Sequence, residues 1–333
     1  MKIIVPMAGR GSRLRPHTLT IPKPLIPVAG KPIVQRLVED ITRMSDEKID
    51  EIAFVIGDFG KEVEAQLIEI AENLGAKGTI YYQDKPLGTA HAILCAKESM
   101  DDHLIIAFAD TLFRANFTLD PEADGVVWVQ KVDNPSSFGV VKFDENNVIT
   151  DFVEKPETFV SDLAIIGIYY AKNGAQLRDE LQYLIDNDIK DKGEYQLTNA
   201  LENMKDKGVA FKTGEVEEWL DCGNYSVTVH TNQRVLEFIK DQDMVADSAQ
   251  LKNATVIPPC FIGDNVVIEN SVVGPHVSVG AGTTIQNSVI RNAIIQKDTH
   301  IAQKVMQDSM IGNHVQLEGR FEDLSIGDYT TTR

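Results

Sequence analysis

From about residue 251 the chain repeats itself, and a repeat constrains a fold more tightly than any other sequence feature. Short units place an aliphatic residue, then a Gly, Glu or other small or polar residue, then a small or β-branched one. Ile262-Gly263-Asp264-Asn265-Val266-Val267, Ile268-Glu269-Asn270-Ser271-Val272 and Val279-Gly280-Ala281-Gly282-Thr283-Thr284 show the pattern. Ile285-Gln286-Asn287-Ser288-Val289, Ile301-Ala302-Gln303-Lys304-Val305 and Ile311-Gly312-Asn313-His314-Val315 continue it. A period of five or six residues kept up this long predicts a β-helix solenoid of about four coils, roughly eighteen residues each. An ordinary sandwich has no reason to hold so short a period.

The first 240 residues follow another rule. Apolar runs at Lys2-Ile3-Ile4-Val5, residues 51–56, residues 79–82 and residues 104–109 alternate with helical periodicity over residues 33–41 and 61–74. A helix also follows the turn at residues 83–92. That alternation predicts an α/β fold with a doubly wound, mostly parallel sheet. From Asp124 the pattern turns to short strands at residues 126–129, 139–143 and 148–153, with residues 144–147 as a hairpin turn. A strand at residues 164–170 and helices near 174–185, 197–205 and 225–239 complete this part. The expected division is a first domain over residues 1–240 and a β-helix over residues 251–333.

Composition removes several classes of partner. A 333-residue chain with 43% hydrophobic and 25% charged residues suits a globular protein of two domains. Its formal charge of −18 opposes binding to a nucleic-acid polymer or an anionic membrane. Cys95, Cys222 and Cys260 are too few and too scattered for a disulfide framework or a metal cluster. No run is long enough for a signal peptide or a membrane span, so a cytoplasmic protein is expected.

In so acidic a chain the cations that follow the first strand need a reason. Val5-Pro6-Met7-Ala8-Gly9-Arg10-Gly11-Ser12-Arg13-Leu14-Arg15-Pro16 leaves the carboxyl end of that strand, and Pro22-Lys23-Pro24 follows. Ligands of such sheets bind outside the carboxyl ends of the strands, where the turn from Gln83 to Thr89 and Asp110 should also lie. The loop lacks the third glycine of a dinucleotide fingerprint and the Gly-Lys-Ser/Thr of a Walker loop. What remains is an anion cradle with arginine and lysine support.

Here the residues resemble a known family. Gly9-Arg10-Gly11-Ser12-Arg13-Leu14-Arg15-Pro16 with the later Pro22-Lys23-Pro24 is similar to the signature of the sugar-1-phosphate nucleotidyltransferases, or NDP-sugar pyrophosphorylases. Six further blocks follow in the family's order: Gln83 with Leu87-Gly88-Thr89-Ala90, Ala109-Asp110, Phe138-Gly139-Val140-Val141, Phe152-Val153-Glu154-Lys155-Pro156, Gly193-Glu194-Tyr195-Gln196-Leu197-Thr198, and Trp219-Leu220-Asp221-Cys222-Gly223. The C-terminal repeat resembles the left-handed parallel β-helix of hexapeptide repeats that some branches append. The whole most resembles the long thymidylyl-transferring branch that acts on glucose 1-phosphate.

The resemblance implies a nucleotide-diphospho-sugar transferase-like domain that moves a nucleotidyl group from a nucleoside triphosphate, dTTP favoured, to a sugar 1-phosphate, glucose 1-phosphate favoured. It gives Arg13 and Lys23 catalytic roles. Ala8, Gly9, Gly11, Ser12, Gln83, Gly88 and Thr89 would bind the nucleotide. Gly139, Glu154, Lys155 and Glu194 would face the sugar phosphate, and Asp110 with Asp221 would hold Mg²⁺. Self-association into a homo-oligomer is expected, with the aliphatic faces of the β-helix offering the contact.

The chain departs from the family pattern at Ala8, where a first glycine is usual, at Asn199 and at Thr111. Uridylyl transfer, an acyl-transferring β-helix and a non-catalytic regulatory copy are the rival readings. His17 and His91 carry no partner pattern and are read as structural, as are Trp219 and Tyr225.

Overall fold

A computed structural model describes residues 1–9, 11–115, 119–120 and 122–331, so Arg10 of the loop signature lies outside the described residues. The chain divides into two compact units: Met1–Ile26 with Pro32–Gly223, and Pro27–Lys31 with Asn224–Arg333.

In the first unit, strands β1 (Lys2–Pro6), β2 (Glu51–Ile56), β3 (Lys77–Tyr82) and β4 (Leu104–Ala107) run parallel in the order β4-β1-β2-β3. Every residue of β2 is buried, which requires cover on both faces of the sheet. Helices α1 (Ile33–Met44), α2 (Lys61–Asn73) and α3 (Thr89–Leu94) are the crossovers. Helix α1 buries Ile33, Val34, Leu37, Val38, Ile41 and Met44, one face of a 3.6-residue period.

The rest of this unit is antiparallel in character. It contains β5 (Thr111–Arg114), β6 (Gly125–Lys131), β7 (Gly139–Phe143), β8 (Ile149–Glu154) and β9 (Leu163–Ala171). Helices α4 (Gly174–Asp186) and α5 (Leu197–Asp206) and strands β10 (Phe211–Glu215) and β11 (Glu218–Asp221) follow. The long strand β9 pairs antiparallel with β4, β6 and β7, and β7 pairs antiparallel with β8. The sheet is therefore mixed, and its parallel character belongs mainly to the half built before Asp110. The physical reason is connection length: β7 and β8 are joined by a turn too short for a parallel crossover. One core cluster runs through both halves, from Ile4, Val55 and Ile106 to Val129, Val141 and Leu201.

The second unit stacks short parallel strands in columns. Gln250–Lys252, Val267–Glu269, Thr284–Gln286, His300–Ala302 and Gln316–Glu318 form one column. Two more columns merge in the seven-residue strands Val289–Ile295 and Val305–Ile311. Ile268, Ile285 and Ile301 point inward and are fully buried. Cross-coil partners lie 17 residues apart early in the stack and 16 later, fewer than the expected eighteen. One residue is lost at a corner: Val273 to Val277 in one coil aligns with Ile290 to Ala293 in the next.

Helix α6 (Tyr225–Phe238) groups with this second unit, ahead of the boundary expected near residue 240. It packs on the two seven-residue strands. Its Asn232 Oδ1 accepts hydrogen bonds from Ser278 Oγ (2.7 Å) and the Ala29 N–H (2.8 Å). Among the described residues no helix is long and apolar enough to cross a membrane.

Candidate active site

The loop leaving β1 is fixed before any ligand arrives. Met7 N–H still donates to Val55 O (2.8 Å), and the chain then turns away through Ala8 and Gly9. Gly11 sits at φ +60°, and a Cβ there would lie 2.8 Å from Lys23 Cβ. Only glycine lets Lys23 pack against the loop. The Gly11 carbonyl accepts from Leu14 N–H (3.0 Å) and from Thr18 Oγ1 (2.8 Å), and fully buried Leu14 anchors the turn Ser12–Leu14. Lys23 opens a second turn, Lys23–Leu25, between two prolines. Its side chain is buried and its Nζ lies 2.9 Å from Asp110 Oδ2.

Asp110 and Asp221 are far apart in sequence and close in space because β11 pairs with β5. Asp221 stands opposite Thr111, and Cys222 N–H donates to Asp110 O (2.9 Å). Burial pushes the Asp221 carboxyl up from its ordinary value, and the charge of Asp110 adds to this. Lys23, the Gly223 N–H (2.7 Å to Oδ1) and Arg13 act the other way. Two carboxylates that disfavour each other's charge suit a cation between them. Among the described residues no group of three or more His, Cys, Asp and Glu could hold a metal by itself. Mg²⁺ asks for less: it is commonly held by one or two carboxylates together with substrate phosphates. The donor set fits that ion.

On the opposite wall, Gln83 Nε2 donates to Gly88 O (3.3 Å) and lies 3.0 Å from His91 Nδ1. Burial lowers the His91 pKa and favours the neutral ring. Gly88 has φ +117°, and a Cβ there would strike Tyr195 O at 2.4 Å. Tyr195 N–H donates to Leu87 O and Ala90 N–H donates to Tyr195 O, each at 2.9 Å, so this turn is zipped to the segment before α5. The Thr89 hydroxyl donates to Gln196 Oε1 (3.1 Å) and accepts from Leu197 N–H (2.9 Å).

The residues expected to face the sugar phosphate, Gly139, Glu154, Lys155 and Glu194, lie near the start of α5. Glu154 lies opposite Gly139 in the β7–β8 ladder, and a Cβ on Gly139 would come within 3.1 Å of Glu154 Oε2. Glu154 pairs with Lys155 (3.3 Å) and accepts a long hydrogen bond from Thr198 Oγ1 (3.4 Å). Glu194 Oε2 accepts from Gln196 Nε2 (3.2 Å). Phe138 meets Trp219 edge to face, with centroids 5.0 Å apart.

A cleft of about 380 Å³ joins most of these parts. Ala8, Gly9, Gly11, Ser12, Arg13 and Lys23 form one wall, Gln83, Gly88 and Thr89 another, and Asp110 and Glu194 close it. Gly139, Glu154, Lys155 and Asp221 are not on its walls, although Gly223, which binds Asp221, is. Met7, Pro86 and Phe108 line the cleft without having been singled out from sequence. His91, read there as structural, holds Gln83. Gln196 was quoted in a block but given no task; its signal was a buried polar type beside two candidate residues.

A glycine loop at the carboxyl end of a parallel strand, two cations, and two carboxylates brought together by the antiparallel β5–β11 pair define an α/β enzyme that handles polyphosphates. Comparison with known proteins narrows this. The family model described as nucleotidyl transferase matches residues 2–237. The chain is 32% identical over 260 residues to the low-salt glycan biosynthesis nucleotidyltransferase of Haloferax volcanii, covering 75% of this chain and 70% of that one. It is 32% identical over 244 residues to the bifunctional protein GlmU of Methanococcus maripaludis, covering 72% of this chain and only 55% of the relative. A solved structure from Bacillus anthracis, described as a glucose-1-phosphate thymidylyltransferase, is 25% identical with a TM-score of 0.57, over 69% of this chain and 93% of that one. The chain belongs to the nucleotidyl transferase family, and its enzyme class is sugar-1-phosphate nucleotidyl transfer.

Proposed function

We propose that the enzyme transfers a thymidylyl group from dTTP to glucose 1-phosphate, releasing pyrophosphate. The observation that carries this reading is the set of Lys23, Asp110 and Asp221 beside the Gly9–Gly11 loop. It lies between a turn suited to a base and a group of carboxylates suited to sugar hydroxyls. In the reaction an oxygen of the sugar phosphate bonds to the α-phosphorus while the bond from that phosphorus to the bridging oxygen of pyrophosphate breaks. No covalent enzyme intermediate is needed, so positioning and charge neutralisation supply the catalysis.

In this reading Arg13 holds the β- and γ-phosphates and takes up charge as pyrophosphate leaves. Lys23 gives up Asp110 to bridge the α-phosphate and the incoming sugar phosphate. Backbone N–H groups at Ala8, Gly9, Gly11 and Ser12 complete the cradle. Asp110 and Asp221 would hold Mg²⁺, which when bound supplies positive charge to the phosphate oxygens. Lys155 binds the sugar phosphate, while Glu154, Glu194 and the Gly139 backbone face the sugar hydroxyls. Gln83 and Gly88 read the base edge, and Thr89 braces that turn. Self-association fits the outward Val289 and Val305 of the second unit, which pair in adjacent coils and are exposed. Cytoplasmic residence follows from the need for nucleoside triphosphate.

Pyrophosphate release from glucose 1-phosphate with dTTP, UTP, GTP or ATP tests the reading. dTTP should give the highest kcat/KM, with UTP nearest because thymine and uracil share the edge that Gln83 would meet. Activity confined to a purine triphosphate would overturn it.

A further inference from the structure

One hydrogen-bonded chain crosses from the nucleotide-side turn to a sugar-side carboxylate. It starts at a backbone group, Leu197 N–H, which donates to Thr89 Oγ1 at 2.9 Å. The Thr89 hydroxyl donates onward to Gln196 Oε1 at 3.1 Å. The amide thereby has its oxygen toward Thr89 and its NH₂ toward Glu194, whose Oε2 accepts from Nε2 at 3.2 Å. The ionised Glu194 carboxylate can only accept, so it takes the Gln196 NH₂ and turns the amide oxygen toward the Thr89 hydroxyl. Gln196 is 4% exposed, and breaking either of its bonds would leave a buried polar group without a partner. Glu194 itself is exposed at the cleft wall, where a lone glutamate would sample several rotamers.

We infer that Gln196 is a positioning residue for the sugar side: it fixes the Glu194 carboxylate for the sugar hydroxyls and anchors it, through Thr89, on the nucleotide-side turn. The inference rests on the reading of Glu194 given above. Glutamine alone suits the place, since it offers an acceptor in one direction and a donor in the other. A glutamate there would set two carboxylates against each other across the 3.2 Å contact. A residue assigned to the nucleotide side by sequence, Thr89, then governs affinity for the other substrate.

The test measures KM for glucose 1-phosphate and for dTTP separately in the full-length enzyme, with thermal melting beside each variant. Gln196→Glu should raise the KM for the sugar phosphate about tenfold, the size of one hydrogen bond to a charged group. The KM for dTTP should stay within about twofold, since the interaction lost is on the sugar side. Thr89→Val should also raise the KM for the sugar phosphate, whatever it does to the dTTP constant through the turn it braces, and Thr89→Ser, which keeps the hydroxyl, should restore the wild-type sugar KM. An unchanged sugar KM, or for Gln196→Glu an equal rise in both constants together with a lower melting temperature, would overturn the inference. Should Gln196→Glu fail to fold, the Thr89→Val and Thr89→Ser pair carries the same decision. Glu194→Ala separates the two levels. If it leaves the sugar KM unchanged, the reading of Glu194 fails; if it raises that KM while the Gln196 and Thr89 variants do not, only the inference fails.

Discussion

The cleft and the coils both bend the backbone into the left-handed region, but they do so for opposite reasons. In the cleft the residues are Gly11 and Gly88, and each has a neighbour so close that a Cβ would collide with it. In the coils most of them carry side chains, among them Asn253, Asn270 and Asn287 at φ +48°, +48° and +49°, with Gly274 and Gly282 as exceptions. There the side chain takes part: Asn253 Nδ2 donates to Asn270 Oδ1 at 2.8 Å along the stack. The cleft bends to bring one specific lysine or backbone segment near. The coils bend to repeat, and each corner resembles the one above it. A single change should therefore remove function in the first region, whereas in the second it should subtract stability by an increment.

The largest expected effect tests the first half of that contrast. Lys23→Ala should lower kcat for pyrophosphate release by about a thousandfold or more, in the range of losing a preorganised charge at the transferring phosphorus. Activity within tenfold of wild type would show that Lys23 can be replaced by its surroundings. The next effect belongs to the coils. Ile285 is fully buried in their core, and Ile285→Ala should cost about 3 kcal/mol of stability through lost burial and a cavity. Its kcat at 25 °C should stay near wild type. A loss of kcat as large as that of Lys23→Ala, in a protein still folded by circular dichroism, would erase the distinction between the two regions.

How much of this was legible in the sequence follows the same division. The repeat was readable because its signal is local and recurs, so each coil reinforces the last. The strands β1, β2 and β4 were readable because continuous apolar runs mark sheets covered on both faces. Strand β5 and its pairing with β11 were not. Thr111 and Asp221 meet across 110 residues, and no periodicity connects them. The pairing that brings the two aspartates together is thus a tertiary fact, though each aspartate could be named from its block. The hydrogen bond between Thr89 and Gln196 was illegible for the same reason: the two lie 107 residues apart. Coil length was not legible to the residue, because coils of 17 and of 16 residues keep the same inward aliphatic pattern as one of about eighteen.

The smallest expected effect turns on the electrostatics of the cleft. Burial and the Asp110 charge raise the pKa of Asp221, so the folded chain binds that proton more tightly than the unfolded chain does. By linkage, the contribution of Asp221 to stability is present below the unfolded carboxylate pKa, about 3.9. It is lost as pH rises through the raised value in the folded state. At neutral pH the wild-type enzyme without ligands therefore carries an unfavourable charge, and Asp221→Asn should relieve it. The variant should melt about 2 °C higher at pH 7, the scale of one site-level improvement in a protein of this size. The gain should shrink as pH falls toward about 3, roughly a unit below the unfolded value, where the wild-type carboxyl is mostly protonated in both states. In the reading proposed above, with Asp221 as a Mg²⁺ ligand, nucleotidyl transfer should fall sharply at every pH, because a neutral amide oxygen is a much weaker ligand for a divalent cation than a carboxylate. A variant no more stable than wild type at pH 7, or one whose advantage persists in acid, would show that the hydrogen bond from Gly223 and the nearby Lys23 and Arg13 already neutralise the site. The Asp221 carboxylate would then be no more of a burden on the fold than a coil residue.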